Sequence, residues 1–153
     1  MMEAERLEEA ICRRALEMLG RRAMSRRELI DKLVGKGEEE SAAVAVADWL
    51  VEKRFLNDGD YAEQIVRHYA GKGYGRQRLT EELWRRGIGK DLWDAALQEM
   101  PEGDEALDRF IHLKLRGVEP DRAEEKRVAD ALRRRGYDWD AISEALRRYK
   151  DAL

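Results

Sequence analysis

Cysteine occurs once, at Cys12, and histidine only twice, at His68 and His112. A single cysteine excludes an internal disulfide and any cysteine-rich zinc site. Two isolated histidines leave little for imidazole-based metal or acid–base chemistry. Both are read as solvent-facing or satisfied within the fold, and Cys12 as a small buried hydrophobe. Proline is almost as scarce, with Pro101 and Pro120 both in the last third. No run of about 18 apolar residues is present, so nothing spans a membrane. The start, Met1-Met2-Glu3-Ala4-Glu5-Arg6, lacks an apolar signal core, so a soluble cytoplasmic protein is expected. There is no G-x-S-x-G, no Walker loop, no H-E-x-x-H and no cysteine pair. The expectation is a protein that is not an enzyme and carries no cofactor or metal. An excess of one charge is missing too: 30 Lys+Arg stand against 33 Asp+Glu, a net charge of −3. Glu38-Glu39-Glu40 is read as a solvated, negative helix N-terminus.

What is present is helical spacing. Of 153 residues, 43% are hydrophobic and 41% charged, enough to close a modest core on a highly charged surface. Strict alternation is hard to find over six residues. Leu29, Ile30 and Leu33 form one apolar stripe, and Tyr61, Ala62, Ile65, Val66 and Tyr69 another. The chain reads as about nine helices of about 10–17 residues. Local signals agree. Ser25-Arg26-Arg27-Glu28 has the capping-box form. Asn57-Asp58 precedes a helix expected near Asp60, and Asp138 precedes the last one. Pro120 suits a first helical turn. Gly37, Gly87 and Gly136 each follow an apolar stripe, where a left-handed residue ends a helix.

Those glycines define an internal repeat, spaced 50 and 49 residues apart. Before each stands apolar-x-x-x-Leu-x-x-basic-Gly: Leu29…Leu33…Lys36-Gly37, Leu79…Leu83…Arg86-Gly87 and Val128…Leu132…Arg135-Gly136. After each comes a spacing-four pair: Val46/Leu50, Trp93/Leu97 and Ile142/Leu146. Upstream, Ile11/Cys12/Ala15/Leu16 matches Tyr61/Ala62/Ile65/Val66 and Ala106/Leu107/Phe110/Ile111. The fold class predicted is all-α: three tandem three-helix repeats stacked into an elongated, curved molecule. The repeats are placed at residues 1–56, 57–100 and 101–153, each with a net charge of −1. A unit of ~50 residues is marginal alone, so neighbours stack. The radius of gyration should exceed the ~15 Å of a compact chain of this length.

The basic residues are the informative set. Arg21-Arg22 and Arg26-Arg27 flank the second helix of the first repeat. Arg76, Arg78, Arg85 and Arg86 decorate the equivalent helix of the second repeat, and Lys126, Arg127, Arg133, Arg134 and Arg135 that of the third. Arg78 and Arg85 are seven apart and share a face, and Arg127 and Arg134 repeat that pair. The first repeat has Glu28 and Gly35 there, so the stripe belongs to repeats two and three. Lys36, Arg86 and Arg135 are read as cations favoured by a helix C-terminus. A stripe recurring across units suits an extended anionic partner. Gly71-Lys72-Gly73-Tyr74-Gly75 is glycine-rich and basic. A helix–helix turn is the preferred reading, although Gly75 opens the next helix and its free N–H groups could hold a phosphate. Trp49 and Trp93 are read as inter-helix packing and Trp139 as half exposed. Trp84 is either a boundary residue or a contact hot spot.

These residues resemble the RecX family of regulators of the RecA recombinase, over roughly residues 10–150. The resemblance rests on Ala15-Leu16…Leu19, Ser25-Arg26-Arg27-Glu28-Leu29…Lys32-Leu33 and Leu50…Phe55-Leu56-Asn57-Asp58…Tyr61-Ala62. The most specific stretch is Lys72-Gly73-Tyr74-Gly75…Arg78-Leu79…Glu82-Leu83…Arg86-Gly87-Ile88. The third repeat matches in Leu132-Arg133-Arg134-Arg135-Gly136-Tyr137…Ile142…Ala145-Leu146.

The resemblance implies tandem three-helix repeats and a non-enzymatic monomer. Such a protein docks along the groove of the RecA–single-strand DNA filament and damps ATP hydrolysis, strand exchange and co-protease activity. It implies weaker, indirect contact with single- or double-stranded DNA and none with a membrane. Its basic, glycine-marked stretch falls on Lys72, Gly73, Gly75, Arg78, Arg86 and Gly87. With the helix decorations, the expected contact set is completed by Arg26, Arg27, Arg76, Arg85, Arg127 and Arg134. The net charge of −3 disfavours indiscriminate tight binding to naked DNA, because such affinity follows neutralised phosphates. A stand-alone DNA-binding helical module is the alternative, and a peptide-binding helical adaptor a second.

Overall fold

The computed structural model describes the backbone of residues 2–153 and the side chains of residues 6–153. Among the described residues there are nine α-helices and no strand: α1 (Met2–Arg21), α2 (Arg26–Gly35), α3 (Glu40–Glu52), α4 (Asp58–Gly71), α5 (Arg76–Arg85), α6 (Trp93–Leu97), α7 (Glu105–Leu115), α8 (Arg122–Arg134) and α9 (Trp139–Asp151). A 3₁₀ turn, Lys90–Leu92, leads into α6. The all-helical class read from the spacing is the class observed.

Helix lengths depart from the expected range at both extremes. α1 runs for 20 residues and α6 for only five. α6 is short for a local reason. Its approach starts from Gly89 without a side-chain cap, and Pro101 follows closely behind. Proline pushes the residue before it out of the helical region, so the chain turns at Gln98–Met100.

The caps follow the sequence. Ser25 accepts from the Glu28 N–H while the Glu28 carboxylate accepts from the Ser25 N–H, so both halves of the capping box form. Asp121 and Asp138 cap α8 and α9 through the amides of Glu124 and Ala141, each at 2.8 Å. Two details differ from expectation. Asn57 caps Asp60 at 3.0 Å, so α4 already starts at Asp58. Asp121 takes the cap of α8, which leaves Pro120 before the cap rather than inside the first turn. Gly37, Gly87 and Gly136 have φ of +101°, +77° and +96°, the left-handed region read for them.

The chain divides into two compact units. One is Met1–Gln64 with Leu83–Ala96, and the other is Ile65–Glu82 with Leu97–Leu153. In the first, α1, α2 and α3 close on a core that includes Ile11, Ala15, Leu29, Leu33, Val46 and Leu50. Cys12 packs partly buried against it. In the second, α7, α8 and α9 close on Leu107, Ile111, Val128, Leu132, Ile142 and Leu146. The apolar positions at spacings of three and four are the ones buried. Ala106 is the exception: it sits exposed in the first turn of α7, outside this core.

Candidate functional site

Each unit contains one joint in which a helix start meets the glycine turn that ends another helix. In the first unit the start of α2 meets the turn after α5. The Ser25 hydroxyl, fully buried, donates to the Arg86 carbonyl. A Cβ on Gly87 would lie 2.7 Å from the Arg27 Cβ, so only glycine admits this approach. The Arg26 N–H donates to Asp58 at 2.8 Å, and its guanidinium pairs with Asp48 at 2.8 Å. Burial raises the Asp58 carboxyl above its ordinary value, against the lowering influence of Arg26.

In the second unit the start of α5 meets the turn after α8. The Gly75 N–H donates to the Arg135 carbonyl at 2.8 Å, and the Gln77 N–H to the Gly136 carbonyl at 3.1 Å. A Cβ on Gly75 would lie 2.6 Å from the Gly136 oxygen. This corrects the phosphate reading of the glycine-rich stretch. The Gly75 and Gln77 amides are spent on a neighbouring turn, so these two donors are not free for an anion. The stretch itself is fastened from behind. Tyr137 donates to the Gly73 carbonyl at 2.9 Å, and Arg135 donates to the Lys72 carbonyl at 3.2 Å. The Arg135 guanidinium lies 4.8 Å from the Phe110 ring centroid and 5.6 Å from that of Tyr74. Burial raises the Tyr137 phenol above its ordinary value.

These joints sort the basic residues. Arg78 is withdrawn from the expected stripe. It pairs with the Glu82 carboxylate at 3.4 Å, lies 5.4 Å from the Tyr74 ring centroid and packs its backbone under Gly136. Glu82 is 3% exposed and anchors the pair in the fold, while the Arg78 side chain stays 31% exposed. Arg86 is half-buried and donates to the Tyr61 hydroxyl at 2.7 Å. Arg86 and Arg135 therefore bind neighbouring elements through specific contacts, beyond any favourable position at a helix end. Lys36 alone of that trio is exposed. Arg27, Lys72, Arg76, Arg85, Arg127 and Arg134 are exposed, whereas Arg26 and Gly73 are half-buried and Gly75 is buried. Lys72 rests 5.8 Å from the Tyr69 ring centroid.

The tryptophans also sort. Trp49 was expected in packing, yet it is 43% exposed and stacks on the exposed Phe55 at the end of α3. Trp93 is part-buried, with its indole N–H on the Ile88 carbonyl at 3.0 Å. Trp139 is half exposed, as read. Trp84 is 71% exposed beside Arg85. His68 and His112 both face solvent, edge-on to Tyr69 and Tyr149. Among the described residues no cluster of three or more metal-ligating side chains occurs, and no helix is long and apolar enough to cross a membrane.

Two domain descriptions match this chain: the RecX first three-helix domain over residues 13–50 and the RecX second three-helix domain over residues 57–97. The regulatory protein RecX of Halorhodospira halophila is 34% identical over 147 residues, covering 95% of this chain and 91% of that protein. The chain belongs to the RecX family. The regulatory protein RecX of Stenotrophomonas maltophilia is 36% identical, covering 92% of this chain and 87% of its own. The crystal structure of RecX from Lactobacillus salivarius superposes with a TM-score of 0.82 at 19% identity over the whole of both chains. A second RecX crystal structure gives 0.81, covering 92% of this chain and 72% of its own. This is therefore a RecX-family regulatory protein with a RecX fold. The joints found here place Gly75, Gly87 and Gly136 of the RecX-like stretches at close backbone approaches. Sequence reading found these positions but missed their partners, which lie about 60 residues away along the chain. An aromatic after the glycine, Tyr137, and a cation before it, Arg135, were the available signals.

Proposed function

We propose that this chain restrains the RecA recombinase, docking along the groove of the RecA–single-strand DNA filament and damping its ATP hydrolysis, strand exchange and co-protease activity. It acts as a cytoplasmic, non-catalytic binding protein. The observation that carries the reading is family membership along nearly the full chain, at 34% identity over 95% of it. The exposed cations support it. Arg27, Arg76, Arg85, Arg127 and Arg134 stand at the surface on α2, α5 and α8, and arginine suits recognition of carboxylate or phosphate oxygens. Arg127 and Arg134 lie seven apart on α8, as the repeat pattern asks. The exposed Trp84 beside Arg85 adds the residue types that dominate contact energies.

The test is single-strand-DNA-dependent ATP hydrolysis by RecA with this protein titrated in. Inhibition well below one copy per RecA favours blocking of filament growth, and inhibition only near equal amounts favours groove occupation. Unchanged hydrolysis at saturation overturns the reading.

A further inference from the structure

The first unit carries an apolar groove between α1 and α3. It encloses about 420 Å³ and is lined by Glu8, Glu9, Cys12, Ala45, Val46 and Trp49. Its floor is the buried Val46 with the partly buried Cys12. Burial raises the Cys12 thiol above its ordinary value, so the thiol stays neutral and belongs to that floor. Trp49 carries the apolar surface outward. Its ring stacks on Phe55 with 6.5 Å between centroids, and both rings are exposed. The turn that ends α3 holds Phe55 in place: its N–H donates to the Leu50 carbonyl at 2.8 Å, and the Arg54 N–H donates to the Val51 carbonyl at 3.0 Å. The aromatic pair is thus fixed before any partner arrives, which lowers the entropy cost of docking on it.

We propose that this groove docks a cationic amphipathic helix of a further protein, seating its apolar row beside Trp49. The charge of the rim selects the occupant. Glu8 and Glu9 are exposed and have no cation partner among the described residues. α3 brings Glu40, Asp48 and Glu52 and carries no lysine or arginine along its length. Asp48 is taken by Arg26. Carboxylates beside an apolar channel repel a phosphate strand or an anionic lipid surface and attract lysine and arginine. A channel between two helices receives a third through apolar side chains at i, i+3, i+4 and i+7, and the flanking cations of that helix meet the rim. A central tryptophan with charges around it is the arrangement in which few residues carry most of the binding energy. The sign is opposite to that of the arginines on α2, α5 and α8, so the partner differs from the anionic one proposed for them. The inference stands on this groove's own chemistry and does not depend on the RecA reading.

The probe is a synthetic helix of about 18 residues with leucine at those spacings and lysine elsewhere. A scrambled peptide of the same composition is the control. Its affinity for the full chain is read by fluorescence anisotropy, and its position by the alkylation rate of Cys12, the one thiol in the chain. With the helix at about ten times its Kd, alkylation should slow about tenfold, and the scrambled peptide should leave it unchanged. Trp49→Ala should weaken binding about 30-fold. Glu8→Gln/Glu9→Gln should weaken it about fivefold at low salt, a difference that fades at high salt. The glutamine variant changes only exposed positions, so it decides the matter even if Trp49→Ala fails to fold. No binding by the parent, equal binding of the scrambled peptide, or binding that leaves Cys12 alkylation unchanged overturns the proposal. So does a Trp49-dependent dimer of the parent alone in sedimentation, which would give the groove to a second copy. Loss of RecA inhibition in the glutamine variant overturns it as well, by assigning the groove to that contact, whereas full inhibition with weakened peptide binding supports a separate partner.

Discussion

Gly136→Ala should destabilise the protein far more than Gly37→Ala, although both glycines end a second helix with left-handed backbone. Their φ values are close, +96° and +101°, so forcing an L side chain there costs a similar amount, about 1–2 kcal/mol. The gain from a stiffer unfolded chain is the same for both. Their surroundings differ. A Cβ on Gly37 meets nothing within 4 Å, whereas on Gly136 it would lie 2.6 Å from the Arg78 Cβ and against the Arg78 backbone. The neighbour is the first turn of α5, which cannot swing aside as a side-chain tip could. Overpacking of this kind costs about 1–3 kcal/mol. Any retreat of α5 also stretches the Gly75–Arg135 and Gln77–Gly136 hydrogen bonds, each worth about 1 kcal/mol. Gly136→Ala should thus lose about 4 kcal/mol against about 1.5 kcal/mol for Gly37→Ala. For a chain of this size that is a fall in melting temperature of about 12 °C against about 4 °C. Calorimetry on both variants decides it. Two unfolding curves that agree within ~1 kcal/mol would refute the close joint and leave only backbone strain.

The other predictions concern the same joints and the exposed cations. Ser25→Ala removes a helix cap and leaves the Arg86 carbonyl without its donor, so urea unfolding should show a loss of about 2–4 kcal/mol. Tyr137→Phe should cost about 1 kcal/mol at neutral pH by removing the bond to Gly73. It should also flatten the alkaline limb. The native phenol is raised by burial, so its contribution is full below about pH 10 and lost as pH climbs through the raised native value; a melting series from pH 8 to 11.5 checks this. Arg127→Glu/Arg134→Glu should leave the circular-dichroism melt within about 0.5 kcal/mol of the parent while weakening RecA inhibition, and equal inhibition would remove α8 from the contact surface. Arg78→Glu should instead unfold at markedly lower urea, because it sets a second carboxylate against the buried Glu82.

Sequence reading succeeded where the determining contacts are local. Ser25 and Glu28 lie three residues apart, so the capping box was visible, and it forms in both directions. The stripes Leu29/Leu33 and Ile142/Leu146 are buried because a 3.6-residue period leaves them no other face. The left-handed glycines were legible for the same reason. It failed where the partner is distant in sequence. Arg78 and Arg85 share a face by spacing, yet spacing could not show Tyr74 and Gly136 covering the first of them. Trp49 was misread because its stripe neighbours Val46 and Leu50 are buried, and its own position lies at the margin of that face.

The two joints also explain why a basic, glycine-rich signature here need not be a ligand loop. A helix C-terminus leaves carbonyls unpaired and a helix N-terminus leaves amides unpaired, so placing one against the other satisfies both. Side chains obstruct such a meeting, and this chain clears them. In the second unit glycine stands on both sides, at Gly75 and Gly136, and the backbone amides reach the carbonyls directly. In the first unit Ser25 replaces the glycine, and its hydroxyl bridges to Arg86 instead. The adjoining cations then take two roles. Arg78, Arg86 and Arg135 turn inward onto aromatic rings and hydrogen-bond acceptors, while Arg27, Arg85 and Arg134 stay at the surface. The second group is the one exposed for the proposed contact with an anionic partner. Substitutions in the first group report on folding before they report on binding.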